Sequence, residues 1–312
     1  MSSRKFIRPL ALVAAALLAL GMVACNRGGD SDSGTKLVLA VSTLDNPFFV
    51  TLRDGAQQAA KDAGVDLEVV DAQDDATKQQ NQLSNAVTQD ADAVLINPVD
   101  SDAAAAAIEP ALDADIPVIA VDRSINSEGV TSTVSSDNVA GGEQAADALA
   151  AAVGGEGKIL QLQGEPGTSA SRERGKGFDQ GLEDHQGLQV VAQQPANFSR
   201  TKGLNVATNL VQSNPNVAGI FAENDEMALG AVQALGDRAG DEVAVVGFDG
   251  TDDALQRVKG GTMAATIAQQ PAELGKTAVE LTVKAVNGKT VPEQQPVPVK
   301  TVTQDNVEKF LK

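Results

Sequence analysis

From about residue 36 to residue 270 the chain alternates short apolar runs with longer segments whose apolar residues recur every three or four positions. The runs "KLVLAVS", "DLEVVDA", "ADAVLINP", "IPVIAVD" and "VTSTVSSD" predict one set of strands. Between them, "FFVTLRDGAQQAAKDAG", "ATKQQNQLSNAVTQD" and "SDAAAAAIEPALDAD" predict helices. A second set of strands follows in "GKILQLQG", "LQVVAQQP", "VAGIFAEND", "EVAVVGFDG" and "MAATIAQQP". Its helices are "NVAGGEQAADALAAAVG", "SASRERGKGFDQGLEDH", "TKGLNVATNLVQSNP", "DEMALGAVQALGD" and "TDDALQRVKGG". Near-continuous Val/Ile/Leu strands alternating with helices imply parallel sheets covered on both faces. Two such sets predict an α/β protein of two doubly wound parallel-sheet lobes.

In open parallel sheets ligands bind beyond the carboxyl ends of the strands, so the residues at those ends are the candidates. After the first strand stand Ser42, Asn46, Phe48 and Phe49; after the third, Asn97; after the fourth, Asp122 and Arg123. In the second set Arg172 and Arg174 open a helix, Phe198 follows "QQPAN" and Asn224 follows "GIFAE". Phe248 and Asp249 end "VAVVGFDG", and Gln269 ends "AATIAQ". Each alone has an ordinary explanation. Phe48 and Phe49 behind Pro47 suit a helix start stapled into the core, the asparagines suit caps or turns, and the charged residues suit a solvated surface. Together they concentrate one chemistry. Carboxylates accept from vicinal hydroxyls, guanidinium groups donate in a fork and amides do either, which suits a polyol. Phenylalanine faces pack on the C–H faces of a sugar ring and keep the polar contacts dry. Four of the eight phenylalanines stand at these ends, in a chain without Trp or Tyr.

The N-terminus changes the picture of where this happens. Arg4, Lys5 and Arg8 precede an apolar stretch from Leu10 to Val23 that is too short to span a bilayer, which predicts an export signal over residues 1–24. Cys25 is the only cysteine, and "MVAC" predicts a lipobox whose thiol is acylated. The Gly/Ser/Asp-rich stretch completing residues 25–35 predicts a flexible tether. The leader holds three of the 24 Lys and Arg and none of the 42 Asp and Glu, so 21 bases face 42 acids once it is removed. Nucleic acid is therefore not an expected partner, since phosphate binding needs a basic face.

The segments "STLDNPFF", "INPVDSDA", "DRSINSEG", "SDNVAGGE", "GTSASRERGKGF", "NFSRTKGLNV", "ENDEMALGA", "VVGFDGT" and "ATIAQQP" resemble the D-ribose-binding proteins of bacterial ABC sugar uptake, within the periplasmic-binding-protein-like type I fold. The resemblance runs from about Lys36 to the end. It implies two lobes joined by a three-crossing hinge, with crossings near Ser136, Gln270 and Val297. The lobes would comprise residues 36–136 with 270–297, including the helix "PAELGKTAVELTVKAVNG", and residues 137–269 with 298–312. It implies that Phe48, Phe49 and Phe198 sandwich a sugar ring, with Phe248 beside Asp249. It also implies that Asn46, Asp122, Arg123, Arg174, Asn224, Asp249 and Gln269 bond the hydroxyls and ring oxygen, supported by Ser42 and Asn97. Arg172 would be a neighbour rather than a contact. Two departures, Asp45 where relatives often carry Asn and the longer C-terminal "TQDNVEKFLK", lie away from these positions. The expected ligand is D-ribose, with allose, a furanose sugar or a furanosyl signal molecule as alternatives. The expected partners are an ABC permease, the membrane through the lipid anchor, and a chemoreceptor; the expected state is an exported, lipid-anchored monomer without cofactor.

Enzyme readings find little support. "GGEGKI" lacks the spacing of a phosphate-binding loop and no "GxSxG" occurs. The one histidine, His185, lies at a polar helix end, which leaves no transition-metal cluster. Asp122 and Asp249 could pair as in a glycosidase, but the neighbouring arginines are expected to keep both ionised, which removes the acid. A sugar-responsive repressor would carry a helix-turn-helix where the export signal stands.

Overall fold

The computed structural model describes residues 34–311. The export signal, Cys25 and most of the tether lie outside the described residues. Two six-stranded sheets form the frame. The first has the strand order β11-β5-β4-β3-β1-β2, with β1 Lys36–Val41, β2 Asp66–Asp71, β3 Ala93–Ile96, β4 Val118–Val121, β5 Ser132–Ser136 and β11 Gln294–Val297. The second has the order β12-β10-β9-β8-β6-β7. Its strands are β6 Gly157–Gln163, β7 Leu188–Pro195, β8 Val217–Ala222, β9 Ala244–Asp249, β10 Ala265–Ala268 and β12 Lys300–Val302. β1, β3, β4, β8, β9 and β10 are almost wholly buried, as strands covered on both faces must be.

Helices cover both faces of each sheet. On the first, α1 (Pro47–Ala63) packs with α9 (Pro271–Val286) on one face, and α2 (Ala76–Thr88) with α3 (Ser101–Asp113) on the other. On the second, α4 (Asn138–Val153) and α5 (Ser169–Leu182) cover one face. The other face carries α6 (Arg200–Ser213), α7 (Asp225–Leu235) and α8 (Asp252–Lys259). The chain passes between the sheets three times, after β5, between β10 and α9, and between β11 and β12. Hydrogen bonds from Asp137 N–H to Val297 O (3.1 Å) and from Gln270 Nε2 to Pro298 O (2.9 Å) tie the crossing strands together.

Two strands were not predicted from the apolar pattern. β11 reads "QQPV" and β12 "KTV", too short and too polar to register as runs. Both are edge strands, which is where Pro296, lacking an N–H, is tolerated. β12 also pairs antiparallel with β10, so the second sheet is parallel except at that edge.

Candidate ligand-binding site

The strand ends of both sheets converge on one cavity with about 250 Å³ of empty space. From the first lobe its walls are Asn46, Phe48, Phe49, Asp122 and Arg123; from the second, Ala170, Arg174, Phe198, Asn224 and Asp249, with Gln269 at the crossing. The lobes also touch directly: Ser101 N–H donates to Gly167 O at 2.9 Å, and Ser124 N–H to Ser169 Oγ at 2.8 Å.

Local chemistry aims the aromatic walls. Asn46 caps α1, its Oδ1 accepting from Phe48 N–H at 2.9 Å, and Pro47 pre-sets the first turn. The cap places Phe48 and Phe49 side by side, ring centroids 5.2 Å apart at 89°, both in the core of the first lobe and at the cavity wall. The two readings of this pair are therefore both realised. Phe198 arrives differently. It and Asn197 have φ of 57° and 53°, a left-handed pair of non-glycine residues that costs energy wherever it occurs. Asn224 Nδ2 donates to Phe198 O at 3.3 Å, and the ring rests on Gly164, where a Cβ would lie 2.1 Å from a ring carbon.

The polar walls are held from behind. Asn97 Oδ1 accepts from Ser42 N–H at 3.1 Å, while its Nδ2 donates to Val121 O and to Asp122 Oδ2, both at 3.2 Å. Ser42 and Asn97 thus join the ends of β1, β3 and β4 without lining the cavity. Arg123 donates to Pro98 O at 3.0 Å and lies over both Phe49 and Phe198, 5.3 and 5.4 Å from their centroids. Arg174 Nε donates to Asn138 Oδ1 (2.9 Å) and Nη1 to Glu223 O (2.7 Å), and Nη1 stands 3.7 Å from Asp249 Oδ1. Asp249 also accepts from Gln269 Nε2 at 2.7 Å. Close helix packing fixes this arginine: a Cβ on Gly142 of α4 would lie 2.3 Å from Arg174 O.

The structure departs from expectation at Phe248 and in the environment of Asp122 and Asp249, and it gives Asn224 a second role. Phe248 does not reach the cavity. Neighbouring strand residues face opposite ways, so its ring turns into the core under α4 and α5, where Arg174 lies 4.0 Å above it. Asn224 lines the cavity as expected and also caps α7, its Oδ1 accepting from Met227 N–H at 2.9 Å while its Nδ2 keeps a second hydrogen beyond the one given to Phe198 O. The arginines do not keep the carboxylates in their ordinary range. Burial pushes the pKa of Asp122 and Asp249 up by more than Arg123 and Arg174 pull them down. Ala170, which lines the cavity, carries no chemical signal in sequence. Arg172 stays outside, its Nη2 3.4 Å from Ser101 Oγ.

Asp122 Oδ1, Arg123 Nε and Gln269 Oε1 are buried without a hydrogen bond in the protein, Arg123 Nε standing 3.6 Å from Asp122 Oδ2 as an ion pair. Orphaned acceptors and a donor on the walls of one small cavity call for a ligand that both donates and accepts at several points, with apolar faces for the phenylalanines. That is the chemistry of a small polyol. Among the described residues no cluster of His, Cys, Asp and Glu is arranged to hold a metal.

A two-lobed α/β frame with such a cavity between its lobes is the architecture of a solute-binding receptor. The chain belongs to the periplasmic binding protein domain family, whose model matches residues 37–290. It is 46% identical over 294 residues to the ribose import binding protein RbsB of Haemophilus influenzae, covering 94% of this chain and 98% of that one. It is likewise 46% identical over 278 residues to RbsB of Bacillus subtilis, covering 88% and 90%. Among solved structures, the myo-inositol-bound solute-binding protein of an ABC transporter from Bacillus halodurans is similar at 34% identity and a TM-score of 0.84, covering 90% of this chain and 98% of that one.

Proposed function

We propose that the protein captures D-ribose between its lobes and delivers it to an ABC permease, as an extracytoplasmic lipoprotein held to the membrane through Cys25. The observation that carries the reading is the set of buried polar atoms without a hydrogen bond on Asp122, Arg123 and Gln269, in a cavity walled by Phe48, Phe49 and Phe198. The two RbsB relatives, each 46% identical, support ribose over other polyols. A pentose has about ten non-hydrogen atoms, and a well-fitted site contributes roughly 0.8 to 1 kcal/mol for each, about −8 to −10 kcal/mol in all. Calorimetric titration is expected to give one ribose per chain with a dissociation constant between about 1 μM and tens of nanomolar. Allose binding tightly while ribose gives no heat would replace ribose by the alternative.

The anchor has its own test. Cys25→Ser leaves no thiol to acylate, since the chain has one cysteine. The variant is expected in the soluble fraction with ribose affinity unchanged. Retention on washed membranes would remove the lipoprotein reading and leave the binding reading intact.

A further inference from the structure

Glu223 stands one residue before Asn224, just beyond the end of β8, and is not among the candidates read from the sequence. It is 1% exposed. Its carboxylate accepts from Gly164 N–H (2.7 Å), from Gln161 Nε2 (3.0 Å) and from Ser171 Oγ, and its own carbonyl accepts from Arg174 Nη1. Gly164 is the seat of the Phe198 ring, and Ser171 and Arg174 belong to α5. One buried side chain thus ties the ends of β6 and β8 to the helix that carries a cavity arginine, and to the backbone under a cavity aromatic.

On its other side Glu223 lines an outward groove between α5 and the ends of β6 and β7. The charged groups around that groove are Arg172, Lys176, Asp179 and Glu183, all on or ending α5. The strands contribute only the glutamines Gln161, Gln163 and Gln193. Protons therefore have a way to Glu223 from outside while the lobes are closed.

We propose that Glu223 is a positioning residue for the cavity and that its protonation, set from the outer groove, lowers ligand affinity. The proposal rests on the sugar-binding reading above. The ionised carboxylate accepts from all three donors. Protonation puts a hydrogen on one accepting oxygen, so a neighbour must reverse its role, the Gln161 amide turning to offer Oε1 or the Ser171 hydroxyl turning to accept, and the bonds under the Phe198 seat and α5 rearrange. Burial pushes this carboxyl up to about 7, against the pull of its hydrogen bonds and of Arg174, so the change falls in the neutral range.

The test compares ribose titrations of the parent and Glu223→Gln between pH 6 and 8. The amide keeps the shape, and its NH2 has an acceptor waiting in Gln161 Oε1, which is buried without a partner. Asp122 and Asp249 remain in both proteins, so the difference between the two profiles is the readout. The parent is expected to lose about three- to tenfold more affinity than the variant from pH 8 to pH 6, with Glu223→Gln at pH 8 resembling the parent at pH 6. Ser171→Ala keeps the carboxylate but removes a donor that favours its ionised form, and is expected to move the parent's midpoint to higher pH. Superimposable profiles for parent and Glu223→Gln, or a midpoint unmoved by Ser171→Ala, overturn the proposal alone. A parent that binds no ribose at pH 8 overturns the ribose reading, and this proposal with it.

Discussion

Asp249→Ala is expected to weaken ribose binding by about 2 to 4 kcal/mol, roughly 30- to 1,000-fold in the dissociation constant. The carboxylate sits at the end of β9 with φ 134°, followed by Gly250 at φ 78°, a backbone path that swings it towards the cavity. It accepts from Gln269 Nε2 at 2.7 Å and faces Arg174 at 3.7 Å. Truncation removes an acceptor for sugar hydroxyls and strands both neighbours in a setting without water to replace it. The loss therefore exceeds that of a neutral hydrogen bond. Phe198→Ala is the comparison, at about 1 to 3 kcal/mol through lost stacking area. Glu183→Ala, exposed at the end of α5, is the control and is expected to change nothing. Calorimetric titration of the three variants decides. Asp249→Ala and Glu183→Ala both binding like the parent would remove the site assignment.

Much of this arrangement is legible in sequence, for identifiable reasons. The strands that line up the site are doubly buried, so they appear as apolar runs, and the rule that parallel sheets bind ligands beyond their carboxyl ends then names the residues there. Hence Asn46, Phe48, Asp122, Arg123, Phe198, Asp249 and Gln269, spread over more than 200 positions, are legible as candidates in the sequence and stand around one cavity. What the pattern could not convey is direction and environment. Phe248 and Asp249 are adjacent at one strand end, and only the pleat decides which faces the cavity. Glu223 and Asn224 pose the same ambiguity. The packing of α9 beside α1 joins residues on opposite sides of the whole second lobe, and came only from resemblance, not from periodicity. Burial was invisible too: an arginine beside an aspartate suggests a low pKa, until the depth of the pair makes desolvation the larger effect.

That depth also governs stability. The unliganded protein is expected to resist urea better at pH 5 than at pH 8. Burial raises Glu223 from 4.5 to about 7 and Asp225, held by Thr251 and Thr266, from 3.8 to about 6. Below the ordinary carboxylate range both folded and unfolded chains hold these protons. As pH rises from about 4.5 to 7 the unfolded chain has released the Glu223 proton while the folded chain keeps it, so the unfolded state gains and stability falls. Above about pH 7 the folded chain ionises too and the loss is complete, about 3 kcal/mol for Glu223 at 1.36 kcal/mol per unit. Asp225 acts in the same direction and finishes earlier, by about pH 6. The acidic surface adds self-repulsion of the same sign, with 42 acidic residues in the chain, so the pH trend alone does not isolate the buried groups. Glu223→Gln does. It removes one titrating group and leaves the surface as it was, and it is expected to reduce the difference in unfolding free energy between pH 5 and pH 8 by about 2 to 3 kcal/mol. The cavity side of the argument predicts the opposite preference, since the ionised carboxylate is the form that holds Gly164 and Ser171. A carboxylate that weakens the fold while it tightens the site separates the two measurements, and urea unfolding curves with equal pH dependence in parent and variant would show that Glu223 ionises as an ordinary surface residue.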